Sequence, residues 1–165
     1  MSIEMELVGV KIQMPTNSPV LILRELEGER RVVPIFIGGP EAHAIDLAVS
    51  GTEVSRPMTH DLFIDVIEGL NATLESVVIE DLKDGTFYAN LMVVDPENNT
   101  IIFSARASDA VALAVRTETS IWAEESVVAE AGIIESLESP EDGEEEMVEE
   151  LREFLDNVNP QDFSA

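Results

Sequence analysis

The sequence predicts an α+β domain: a mixed or largely antiparallel β-sheet with three to four packed helices, and an amphipathic helix set apart at the C-terminus. Three observations carry that expectation. Apolar-rich runs broken by turn residues fill the first 37 residues. Lys83-Asp84-Gly85 separates two further apolar runs, and Asp-Gly tolerates the positive backbone angles of a tight hairpin. Elsewhere, apolar residues recur at the 3.6-residue spacing of helices. A chain of 165 residues, 45% of them apolar, can bury one sizeable core but leaves too little for a second full domain.

Strands are expected over Ile3–Met14, Val20–Glu25 and Arg31–Ile37, a meander whose turns are Pro15-Thr16-Asn17-Ser18-Pro19 and Glu27-Gly28-Glu29. Gly39-Pro40 opens a first helix that runs to about Ser50 and stops at Gly51, with Ala42, Ile45, Ala48 and Val49 as its apolar stripe. Thr59 is placed to cap a second helix ending near Gly69 to Asn71. There Leu62, Phe63, Val66, Ile67 and Leu70 form the apolar stripe, and Asp61, Asp65 and Glu68 face outward. Leu74–Leu82 and Thr86–Val94 are the hairpin strands, and Asn98-Asn99 turns into a short strand, Thr100–Ser104. Ser108 is placed to cap a third helix, Asp109–Arg116, which is apolar on every side from Ala110 to Val115 and therefore reads as buried. Ile121-Trp122-Ala123 adds a strand and Glu124–Ala131 a short helix.

The compact domain is expected over residues 1–134, an acidic linker over 135–146, and a C-terminal helix and tail over 147–165. In that last segment Met147, Val148, Leu151, Phe154, Leu155 and Val158 keep helical spacing up to Asn159-Pro160. Such a stripe is expected to dock on the core, meet a second copy in a homodimer, or bind a partner protein.

Charge narrows the function classes. Nine Lys and Arg against 34 Asp and Glu give a net charge of −25, a field that repels nucleic acid and anionic membranes alike. Residues 135–165 hold 12 of the acids and one base, Arg152, which leaves residues 1–134 with 22 acids and eight bases, still strongly acidic. A polyanionic partner must therefore be held by local contacts. With no cysteine, disulfides and thiolate metal sites are excluded. Glu4, Glu6 and Lys11 interrupt the N-terminal apolar run, which reads as neither signal peptide nor membrane span, and a cytoplasmic protein is the expectation. Gly-rich phosphate loops, Gly-x-Ser-x-Gly elbows and His-Glu-x-x-His motifs are absent from the sequence.

The polar signal lies in two segments, Arg56-Pro57-Met58-Thr59-His60-Asp61 and Ser104-Ala105-Arg106-Ala107-Ser108-Asp109. Each sets an arginine just ahead of a helix start, where unpaired N–H groups and the helix dipole favour a phosphate or carboxylate. These segments, together with Ile35-Phe36-Ile37-Gly38, Glu41-Ala42, Asp81-Leu82, Gly85-Thr86-Phe87-Tyr88-Ala89 and the run to Ala114, resemble the bifunctional nuclease family over residues 5–132. The resemblance implies an α+β domain and, in some members, degradation of both DNA and RNA. The chain departs from the family pattern of Arg-Pro-Ser-Asp at Ala107, and Ser104 stands where Asp is frequent.

Phosphodiester hydrolysis needs an activated water, stabilisation of the developing oxyanion and protonation of the leaving group. On that reading Glu41, His60, Asp61 and Asp109 are the candidate catalytic residues, with His60 as acid or base because histidine as a residue type titrates near neutrality. Arg56, Arg106, Thr59 and Ser108 are the candidate substrate ligands. Glu41, Asp61 and Asp109 are the candidate oxygen ligands for Mg²⁺ or Mn²⁺. His43 reads as a surface residue. The competing reading is a non-catalytic oligomeric binding or regulatory module. In it the same Arg, Asp and His residues form a structural ion-pair network or hold a small anion.

Overall fold

The computed structural model describes residues 1–134. The elements are β1 (Ser2–Gln13), β2 (Ser18–Glu25), β3 (Val32–Phe36), α1 (Gly39–Val49), α2 (Thr59–Gly69), β4 (Thr73–Lys83), β5 (Thr86–Val94), β6 (Thr100–Arg106), α3 (Ala107–Thr117), β7 (Ser120–Glu124) and α4 (Glu125–Ala131). The strands form one mixed sheet in the order β3-β2-β1-β7-β4-β5-β6. All neighbours are antiparallel except β4 and β7. This is the expected α+β architecture. The proposed acidic linker and C-terminal helix lie outside the described residues.

Local chemistry sets most boundaries. The β4–β5 hairpin turns on Asp84 (φ 50°) and Gly85 (φ 74°), two successive positive φ angles that Asp-Gly accommodates at low cost. Short β7 joins the two halves of the sheet: Ile121 registers with Met5 of β1 on one side and with Val77 of β4 on the other. Alternate residues Ala89, Leu91 and Val93 of β5 are buried and the residues between them are not, the pattern of a sheet with one covered face. On the covered side α3 buries Ala107, Ser108 and every residue from Ala110 to Ala114. Its alanines allow close approach to both the sheet and α1, so the all-round apolar run is the buried helix that the sequence predicts.

Two sequence expectations are corrected. Thr59 and Ser108 do not cap their helices: the N-cap positions are Met58 and Arg106. In α2 the Asp61 carboxylate reaches back to accept the Met58 backbone N–H at 2.8 Å, which replaces a hydroxyl cap. In α3 the preceding strand stays paired up to Arg106, opposite Tyr88, so the helix starts without a loop and Ser108 is drawn inside. The second correction concerns the α2 stripe. Ile67 is buried, but Leu62, Phe63, Val66 and Leu70 are exposed, because α2 sits at the periphery and rests only one side on α3 and β4. Edge strand β6 likewise exposes Ile101, Ile102 and Phe103.

Glu25 is the one fully buried charged residue among those described. Glu25, 2% exposed, accepts the Arg31 backbone N–H at 2.8 Å through one oxygen and the guanidinium at 2.6 and 3.1 Å through the other. Arg31→Ala leaves that buried carboxylate with only the backbone donor. The expected loss is about 3 kcal/mol of unfolding free energy, read by urea denaturation.

Candidate active site

Two helix starts meet. His60, in the first turn of α2, lies with Nε2 2.9 Å from Asp109 Oδ1 in the first turn of α3. Arg106, at the β6–α3 junction, donates from Nε to Asp109 Oδ2 at 2.7 Å and from Nη2 to Asp109 Oδ1 at 3.2 Å. The same Nη2 lies 2.9 Å from Glu41 Oε1 on α1. The two segments singled out in the sequence are thus joined by a histidine and a carboxylate rather than by their arginines.

Burial pushes the Asp109 carboxyl up, but hydrogen bonds from Arg106 and His60 and their charges outweigh it and hold the group below its ordinary value. An ionised Asp109 can only accept, so Nε2 of His60 donates in this contact and Nδ1 has no hydrogen-bond partner among the described residues. Arg106 is 68% exposed despite its three contacts, and its Nη1 has no partner among the described residues. The Glu41 carboxylate lies against Gly38, where a Cβ would meet Glu41 Oε2 and make the side chain shift. At Gly38 the glycine permits that approach rather than a special backbone angle, since its φ of −77° is open to any residue.

A pocket of about 660 Å³ opens over these groups. Glu41, Thr59, His60, Arg106 and Asp109 line it, with the half-exposed rings of Phe63 and Phe103. His43 lines it too, which its position on the α1 stripe pattern concealed.

Asp61 goes elsewhere. Its Oδ1 accepts from Nε of Arg116 at 2.5 Å, and that hydrogen bond is the main reason its carboxyl lies below the ordinary value. Arg116, 9% exposed, also donates to the Ala112 carbonyl at 2.8 Å and to the Ala44 carbonyl of α1 at 3.0 Å. Asp109 and Arg116 are seven residues apart on α3, about 10.5 Å along its axis. The adjacent side chains of His60 and Asp61 therefore diverge to reach them. Arg56 is exposed and makes no ion pair among the described residues, and Ser108 lies outside the His60 pocket. No group of three or more His, Asp or Glu able to hold a metal occurs among the described residues. Glu41, Asp61 and Asp109 are engaged by two different arginines and do not fit one divalent cation as a set. Arg116 was invisible in the sequence because a basic residue in a helix's last turn is ordinarily a dipole partner.

The chain matches the Bifunctional nuclease domain family over residues 21–136 and belongs to that family. It is similar to an uncharacterized protein of Mycobacterium tuberculosis, with the same match in two strains: 46% identity over 98% of each chain. It is also 24% identical, over 76% of its length and 39% of the relative's, to Bifunctional nuclease 2 of Oryza sativa subsp. japonica. Among the described residues no helix is long and apolar enough to cross a membrane.

Two outcomes test this geometry. Arg116→Met removes the donors to Asp61 and Ala44, and is expected to cost about 3 kcal/mol in urea unfolding and to shift amide resonances of α2. Because Asp61 has a lower pKa folded than unfolded, its stabilisation is complete above about pH 5 and is lost as the pH falls through the depressed folded value. Unfolding free energy measured down an acid series should therefore fall less steeply in Asp61→Asn than in the parent.

Proposed function

We propose that the protein hydrolyses phosphodiester bonds of DNA or RNA in the pocket over His60. The observation that supports this most is the His60–Asp109 contact, which engages Nε2 and leaves Nδ1 without a partner among the described residues, beside an arginine with unused donors. Nδ1 takes the proton of a water attacking phosphorus, and Asp109 stabilises the imidazolium that forms. Arg106 receives the charge developing on the non-bridging oxygens. The bond from phosphorus to the departing nucleoside oxygen breaks, and His43, on the same pocket, is the donor that can protonate that oxygen. Phe63 and Phe103 offer faces on which bases stack. These local contacts must outweigh the repulsion of a chain with net charge −25.

The assay is cleavage of single- and double-stranded DNA and RNA by the purified chain, with Mg²⁺, with Mn²⁺ and with chelator. The metal requirement proposed from the sequence is thereby measured directly. His60→Ala is expected to lower kcat by about 10² to 10⁴, and Arg106→Lys to raise KM. Cleavage unchanged in His60→Ala would assign the activity to a contaminant.

A second reading has its own support: Arg106 and Arg116 are each already met by the chain's own carboxylates, as in a structural network. That reading expects His60→Ala to lower stability in a protein that cuts nothing. Under either reading we propose a homodimer. Edge strand β6 has one side without a strand partner among the described residues and exposes Ile101, Ile102 and Phe103, and pairing with a second β6 would close on a two-fold axis. Light scattering should give twice the 18.1 kDa chain mass, falling to one chain in Ile102→Glu.

A further inference from the structure

Behind the Arg106–Glu41 pair lies a second cavity, of about 410 Å³, that the hydrolytic reading leaves unused. Glu41 and Arg106 line both cavities and so form the partition between them. Two 11-residue helices begin at its wall, α1 from Gly38 and α3 from Arg106, and neither start is capped by a side chain. Their first N–H groups and dipoles favour an anion there.

A buried side chain points the same way. Ser108 is 7% exposed and lines this cavity, and its hydroxyl has no hydrogen-bond partner among the described residues. None of the wholly buried side-chain polar atoms there lacks a partner, so the hydroxyl is not sealed in the core: it opens on the cavity. Thr86 and Ser18 belong to the same lining. Glu41 is the one carboxylate of the lining and pairs with Arg106, which Asp109 shares, so the two helix starts favour an anion here against a local carboxylate.

We propose that this cavity is a phosphate subsite that takes the phosphodiester neighbouring the one being cut, an assignment that in this form rests on the nuclease reading. Arg106 then stands between two successive phosphates, with its unused Nη1 donors available to either. The Ile35 and Phe87 side chains give the attached sugar an apolar wall, and the volume admits a phosphate with that sugar.

The test needs no turnover. The full-length ¹⁵N-labelled chain is titrated with inorganic phosphate and, separately, with a dinucleotide bearing one internal phosphodiester, and the amides of Gly39, Ala107 and Ser108 are followed. Both ligands should shift these amides saturably. Ser108→Ala should weaken binding about fivefold, the size of one hydrogen bond, while the rest of the spectrum stays in place. Thr86→Val, at an exposed lining residue outside the core, should weaken it in the same direction. Shifts that fail to saturate, or equal affinity in both variants and the parent, would overturn the subsite. Binding of inorganic phosphate but not of the dinucleotide would overturn its substrate assignment. Phosphate and dinucleotide binding in a chain that cuts no nucleic acid would instead sink the nuclease reading and leave the subsite standing.

Discussion

Arg116 decides how the three helices can sit. Its guanidinium is almost fully enclosed, and an enclosed charge is tolerable only with an opposite charge and acceptors around it. Asp61 of α2, the Ala44 carbonyl of α1 and the Ala112 carbonyl of its own helix supply these. The start of α2 is therefore tied to the body of α3, and α1 is drawn to the same point. Once Asp61 is held there, its neighbour His60 turns the other way along α3 and meets Asp109. The geometry of the candidate site is a consequence of that scaffold pair.

Arg106 plays the opposite part at the surface. It sits where β6 passes directly into α3, faces carboxylates on two helices, and remains largely exposed with donors to spare. A structural arginine is normally enclosed by its partners, as Arg116 is. One that is paired yet exposed, at the boundary of two cavities, keeps donors that its own carboxylates do not use. Gly38 completes the arrangement by giving the Glu41 carboxylate the space it occupies against the α1 start.

The difference between these arginines marks how far the site was legible in the sequence. His60, Asp109, Arg106 and Glu41 were identified from motifs, and they do come together. Asp61 carried the same signal but belongs to Arg116, and Ser108, identified with the others, faces the second cavity. His43 gave no signal, because its neighbours on α1 read as an ordinary helix face.

Local chemistry determined most of the order and type of the elements of residues 1–134, though not every boundary. Asp84-Gly85 admits the turn angles of the hairpin, Gly39-Pro40 suits a helix start, and the run from Ala110 to Ala114 has nowhere to be except inside. These preferences act over a few residues and survive any arrangement of the whole. Tertiary structure decided which carboxylate meets which cation, because that depends on how α2 crosses α3 between residues 49 and 55 positions apart in the chain. It also decided that α2 turns Leu62, Val66 and Leu70 outward, since periodicity shows that a helix has an apolar stripe and only packing shows what covers it.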